Sequence, residues 1–182
     1  MSKIILVTGG SRSGKSSFAE QLLKGKDDVL YIATSIITDD EMKERVAVHK
    51  KRRNKHWQTF EGYKNLKSVV KESRYKHVLL ECATTMMTNL MFDKYVDFDN
   101  LSIQEIKDLE EYIKEEFRTM ISAVREYDKE LVVVTNEVGF GLISEHRLGR
   151  IFTDISGRIN QYLGKVSDEA YLLVSGLPVK IK

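Results

Sequence analysis

The chain has 182 residues, of which 42% are hydrophobic and 31% charged, with a net charge of +2. That length suits one domain over 1–182 with a sizeable core, and the near-neutral balance gives no reason to expect a nucleic-acid partner. The lone cysteine, Cys82, excludes an internal disulfide and a cysteine zinc cluster. No apolar run approaches the roughly 20 residues that span a bilayer, and no secretory leader fits the first residues, so a cytoplasmic location is expected.

In chain order, Ile4-Ile5-Leu6-Val7 is a short apolar run closed by glycines and reads as a buried strand. Residues 15–23 then place Phe18, Leu22 and Leu23 at helical spacing, and Val29-Leu30-Tyr31-Ile32-Ala33 reads as the next strand. Thr38 and Glu41 suit a capping box for a helix that carries Met42, Val46 and His49 on one face. Val78-Leu79-Leu80 is a further strand, ending in Glu81. A long amphipathic helix follows over about 103–127, with Ile106, Leu109, Ile113, Phe117, Met120 and Val124 on its inner stripe.

Leu131-Val132-Val133-Val134 is the next strand, and a helix is expected over about 147–166. The chain then closes with Tyr171-Leu172-Leu173-Val174, a Gly-Leu-Pro turn and Val179-Lys180-Ile181. Continuous apolar strands alternating with amphipathic helices indicate an α/β fold, a mostly parallel sheet with helices on both faces. The last two strands are too close for a helical crossover, so the C-terminal strand is expected to be antiparallel.

Gly9-Gly10-Ser11-Arg12-Ser13-Gly14-Lys15-Ser16 matches GxxxxGK[ST] in full, after a strand and at the start of a helix. A chance match in a chain of this length occurs roughly once in 150, and the strand–loop–helix context lowers that further. The fold expected is therefore P-loop NTPase-like. The glycines let the backbone wrap a phosphate chain with its N–H groups inward. Lys15 is placed to reach the β- and γ-phosphates, and the Ser16 hydroxyl to hold Mg²⁺.

Ligands of open α/β sheets lie beyond the carboxyl ends of the strands. Glu81 is the stronger candidate there for a second acidic group near the metal, or for orienting an attacking hydroxyl. Glu137 reads equally as a site residue or as an acid that ends a strand. His49 precedes the basic run Lys50-Lys51-Arg52-Arg53. An imidazole there can attack an α-phosphate while the cations hold the departing pyrophosphate. On pattern alone, a single His in a solvated basic helix reads first as a surface residue, and His56-Trp57 as a packed aromatic corner.

Taken together, an ordered set of motifs runs nearly end to end. It comprises Leu6 to Ser16, Tyr31-Ile32-Ala33-Thr34-Ser35, Asp39 to Met42 with Arg45 and His49, and His56-Trp57 with Thr59 and Glu61. It continues through Leu80-Glu81-Cys82 with Thr84-Thr85, Asn89-Leu90, Asn136 to Gly139, Glu145, Arg147-Leu148, Gly157-Arg158 with Asn160-Gln161, and Val174-Ser175-Gly176. This set resembles the bifunctional adenosylcobinamide kinase/adenosylcobinamide-phosphate guanylyltransferase family of cobalamin biosynthesis.

The resemblance implies two reactions. ATP or GTP phosphorylates the hydroxyl of adenosylcobinamide, and GTP then donates GMP to that phosphate through a GMP–histidine intermediate, giving adenosylcobinamide-GDP and pyrophosphate. It implies His49 as the nucleophile, Gly9 to Ser16, Ala33, Thr34, Ser35, Lys50, Lys51, Arg52, Arg53, Glu61 and Glu81 as nucleotide contacts, and a homotrimer. Two positions depart from the family pattern. Asn54 stands where Arg-Pro-x-His-Trp has proline, which suggests a looser turn, and Val48 stands where some members carry a second histidine before the nucleophile. Two rival readings are a P-loop kinase that never uses His49 and a nucleotide-gated regulatory protein without transferase chemistry.

Overall fold

The structure is a computed structural model that describes residues 1–36, 40, 43–44, 46–47, 50 and 53–182. Seven strands form one sheet: β1 (Lys3–Gly9), β2 (Val29–Ala33), β3 (Gln58–Glu61), β4 (His77–Glu81), β5 (Glu130–Val134), β6 (Glu169–Val174) and β7 (Leu177–Lys180). Their order is β3-β2-β4-β5-β1-β6-β7. All neighbours are parallel except β6 and β7, which pair antiparallel from Tyr171↔Lys180 to Val174↔Leu177. The labelled helices are α1 (Lys15–Leu22), α2 (Leu66–Glu72), α3 (Ala83–Lys94), α4 (Ile103–Glu126) and α5 (Arg147–Val166).

Side chains alternate across the sheet, as the pleat requires. Ile4, Leu6, Leu30, Ile32, Val78, Leu80, Leu131 and Val133 face α2, α3, α4 and α5 in the larger core. Val7, Val29, Tyr31, Leu79, Val132, Val134 and Leu173 face Ala19 and Leu23, at α1, and Trp57 in the smaller one. The central strands are buried on both faces, which is why they read as unbroken apolar runs.

The long helix α4 starts where its sequence dictates. Ser102 Oγ accepts from the N–H of Glu105, and the Glu105 carboxylate accepts from the N–H of Ser102, a complete capping box. Leu109, Ile113, Phe117, Met120 and Val124 are fully buried along its expected stripe, with Ile106 partly buried. Each such side chain stabilises the fold by about 1.5–3 kcal/mol. Helix α5 repeats the device with Ile151, Ile155, Ile159 and Leu163.

Three elements go beyond the sequence reading: β3, α2 and α3. The turn near the end also differs. It falls at Ser175-Gly176, and Pro178 sits inside β7 instead of closing the turn. Proline fits there because β7 is an edge strand with one unpaired side. The expected capping box of Thr38 and Glu41 lies outside the described residues. Among the described residues no helix is long and apolar enough to cross a membrane.

Candidate active site

Strand β1 ends at Gly9, and the chain turns through Gly10–Ser13 into α1, whose N-cap is Gly14 in the left-handed conformation at φ 96°. Lys15 is buried at 7% exposure. Its ammonium folds back over the loop, donating to the Gly10 carbonyl at 2.5 Å and reaching Ser13 Oγ at 3.5 Å. Burial holds its pKa below the ordinary lysine value. The loop thus already wraps a positive charge.

Glu81 comes to this loop from the end of β4, across the intervening strand β5. Ser16 Oγ donates to Glu81 Oε1 at 2.7 Å. The second oxygen, Oε2, is buried with no hydrogen-bonding partner among the described residues. Burial pushes this carboxyl up to about 7, against the opposing pull of the Ser16 hydroxyl. A half-satisfied buried carboxylate beside a hydroxyl, facing a lysine, is a donor set suited to a hard cation.

The residues after β2 support this carboxylate. Thr34 is buried, and its hydroxyl accepts from the N–H of Cys82 at 2.9 Å and donates to the Cys82 carbonyl at 2.8 Å. Asn89 Nδ2 donates to the Thr34 carbonyl at 2.7 Å. Thr34 therefore ties β2 to the chain that carries Glu81. The peptide between Glu81 and Cys82 is cis.

Along one face of the edge strand β3, where Trp57, Thr59 and Glu61 alternate, a groove of about 330 Å³ is lined by these residues with Lys50, Arg53 and Lys55. The Arg53 guanidinium lies 4.0 Å above the Tyr31 ring, and Trp57 stacks on the same tyrosine with its centroid at 6.4 Å. The Trp57 indole donates to the Lys26 carbonyl at 2.7 Å, which locks it against Tyr31; the packed corner expected of His56-Trp57 holds for Trp57 alone, because His56 is exposed. Arg53 Nε is buried without a partner among the described residues. Lys50 and Glu61 pair at 2.6 Å, and that contact holds the Glu61 carboxyl below its ordinary value.

Asn54 closes its turn by itself: its side chain accepts from the N–H of His56 at 3.0 Å and its carbonyl from that of Trp57 at 3.1 Å. His49, Lys51 and Arg52 lie outside the described residues. Lys50 and Arg53, which bracket the last two, both line the groove.

Glu137 sits beside the phosphate loop through its backbone, donating to the Gly9 carbonyl at 3.0 Å, while its carboxylate accepts from the N–H of Gly139. Sequence reasoning missed the buried network beneath it. Thr135 Oγ1 donates to Asn160 Oδ1 at 2.8 Å, Asn160 Nδ2 to the Asn136 carbonyl at 3.0 Å, and the Asn136 N–H to Thr84 Oγ1 at 2.7 Å. Thr84, Asn136 and Asn160 stand in the motif set that the sequence offered, but nothing in the sequence showed that they bond one another. His77 belongs to the other end of the sheet, between Asp28 at 2.9 Å and Glu130 at 3.2 Å. No group of three or more acidic, histidine or cysteine side chains forms a metal site among the described residues.

A phosphate loop, an acidic strand end and a basic groove thus lie along one sheet, and comparison with known proteins places the chain in a family. The profile of the cobinamide kinase / cobinamide phosphate guanyltransferase family, CobU, matches residues 5–181. The chain belongs to this family. Two bifunctional adenosylcobalamin biosynthesis proteins named CobU, from Escherichia coli and Salmonella typhimurium, are 46% and 45% identical to it over 181 residues, covering 98% of this chain and 99% of each relative. A related protein named CobP, from Pseudomonas aeruginosa, is 29% identical over 180 residues, covering 97% of this chain and 96% of its own. As a CobU-family member the chain is an enzyme with cobinamide kinase and guanylyltransferase activity.

Proposed function

We propose that the chain, acting as one domain over 1–182, runs both reactions of its family along this one sheet. The observation that carries the reading is the 2.7 Å contact between Ser16 and Glu81, which closes the phosphate loop against the acidic end of β4. In the kinase step the phosphate loop and Lys15 hold the triphosphate of ATP or GTP. The acceptor hydroxyl of adenosylcobinamide attacks the γ-phosphorus, and the nucleoside diphosphate leaves. Glu81 would support either the metal or the acceptor hydroxyl. Mg²⁺ would be held by Ser16 and Glu81 and would supply charge neutralisation to the phosphates.

In the transferase step, a ring nitrogen of His49 attacks the α-phosphorus of GTP, the bond to pyrophosphate breaks, and GMP is left on the histidine. An oxygen of adenosylcobinamide phosphate then attacks that phosphorus, giving adenosylcobinamide-GDP and returning the neutral imidazole. Lys50, Lys51, Arg52 and Arg53 stabilise the phosphate charge, with Ala33, Thr34, Ser35, Glu61 and Glu81 completing the nucleotide's surroundings. The resemblance further suggests a cytoplasmic homotrimer, which sedimentation of the purified protein would check.

The test is incubation with α-labelled GTP and Mg²⁺. Acid-labile, alkali-stable label on the wild type and none on His49→Ala is the expected result. Absence of label, with GTP binding intact, would remove His49 from the mechanism and leave a kinase alone. Lys15→Ala should lose roughly a hundredfold or more in both reactions, because both rely on the same phosphate cradle.

A further inference from the structure

The Val174-Ser175-Gly176 stretch has no role in the chemistry above, yet it touches the phosphate loop. Ser175 at φ 51° and Gly176 at φ 84° close the hairpin between β6 and β7. The Gly176 N–H donates to the Ser13 carbonyl at 3.0 Å. A Cβ on Gly14 would stand 3.2 Å from Gly176 Cα, and one on Gly9 would stand 2.6 Å from the Leu173 carbonyl oxygen. Three points of the loop therefore rest on β6 and its turn.

We infer that the β6–β7 turn is a positioning element of the phosphate cradle, with Gly176 aiming the Gly14 N–H at the bound phosphates. In a trans peptide the C=O and N–H point in opposite directions, and the peptide between Ser13 and Gly14 is trans. Holding the Ser13 carbonyl against the hairpin turns the Gly14 N–H to the opposite face of the loop, where the triphosphate lies. A carbonyl left free to rotate would point its negative end at the phosphates. Close approach of the two backbones disfavours a side chain on Gly14, whereas at Gly176 it is the left-handed backbone at φ 84° that favours glycine. The inference rests on the phosphate-binding reading above.

The test compares binding of inorganic tripolyphosphate and of GTP by calorimetry, well below the melting temperature. Gly176→Ala meets no atom within 4 Å of its new Cβ, so its effect comes from the backbone conformation at φ 84°. We expect roughly tenfold weaker binding of both ligands, the loss of about one hydrogen bond to a charged group, with KM raised in both reactions and kcat largely kept. Ser175→Asn, which suits a turn with two positive φ angles, keeps wild-type affinity.

Wild-type affinity in Gly176→Ala overturns the inference, as does a loss confined to GTP, which would make the turn a seat for the nucleoside. Failure of the wild type to bind either ligand would instead overturn the phosphate-loop reading. If Gly176→Ala does not fold, amide hydrogen exchange of the wild type decides. Protection of the Gly176 N–H should rise severalfold with tripolyphosphate, and unchanged protection overturns the proposal.

Discussion

Glu81 carries the sharpest consequence at the level of single residues. Burial raises its carboxyl from 4.5 to about 7, so the folded chain binds this proton more tightly than the unfolded chain. The stability due to that proton is complete below about 4.5 and is lost as pH rises through about 7, a difference of about 3 kcal/mol. Glu81→Gln should therefore raise Tm at about pH 8, match the wild type near pH 4.5, and still lose most turnover; thermal melts across that range, with assays of both reactions, check it. Arg53 leads to a second expectation. Its guanidinium covers the Tyr31 ring, and lysine has neither the plane nor the fork of donors. Arg53→Lys should weaken GTP binding roughly tenfold, a loss that calorimetry would read.

The phosphate loop was legible at this scale because one short segment carries its whole mechanism. That Glu81 approaches the loop was legible from its strand-end position, but its direct bond to Ser16, 65 residues away, was not, since only the folded sheet makes it. The same holds for Arg53 above Tyr31.

Among the elements, the central strands were legible for a physical reason. Strands β1, β2, β4 and β5 are covered on both faces, so nearly every position must be apolar. Strand β3 escaped notice because Gln58, Thr59 and Glu61 are exposed at the sheet edge. Helix α3 escaped because, although Ala83, Thr84, Met86, Met87, Leu90 and Met91 bury one face, its other face carries Thr85, Thr88 and Phe92 in place of charges, so the contrast between faces is weak. The polar cluster at the start of α3 makes its own prediction. Asn160→Ala would strand the Asn136 carbonyl and take the acceptor from the Thr135 hydroxyl. Leaving buried polar groups unpaired costs about 1–3 kcal/mol each, so urea denaturation should show a loss in that range. Because Glu137, beside Asn136, is bonded to Gly9, the variant should also raise KM for nucleotide.

For the molecule as a whole, the sheet order β1-β5-β4-β2-β3 sets the phosphate loop after β1, Glu81 at the end of β4 and the basic groove along β3, so on the proposed reading cations would meet an anionic ligand at both extremities. Neighbouring strands lie about 4.8 Å apart, so the basic groove stands roughly 14–19 Å from the phosphate loop. Lys50 and Lys55 are exposed while Lys15 is buried, and salt screens exposed charges far more than buried ones. If, as proposed, the groove serves the transferase step, raising ionic strength should weaken that reaction more than the kinase reaction. Parallel KM measurements against salt would settle the point, and equal sensitivity would count against the division of labour.

The strand order also governs when the enzyme can come into being. Strand β1 pairs only with β5, through Ile4↔Leu131 and its neighbours, and with β6, through Leu6↔Ala170 and its neighbours. During synthesis the phosphate loop thus emerges early but stays without a sheet to hold it until residues near 130 and then near 170 have left the ribosome. An incomplete nascent chain should therefore lack the formed cradle, so capture of GTP is expected only once nearly all of the protein is made.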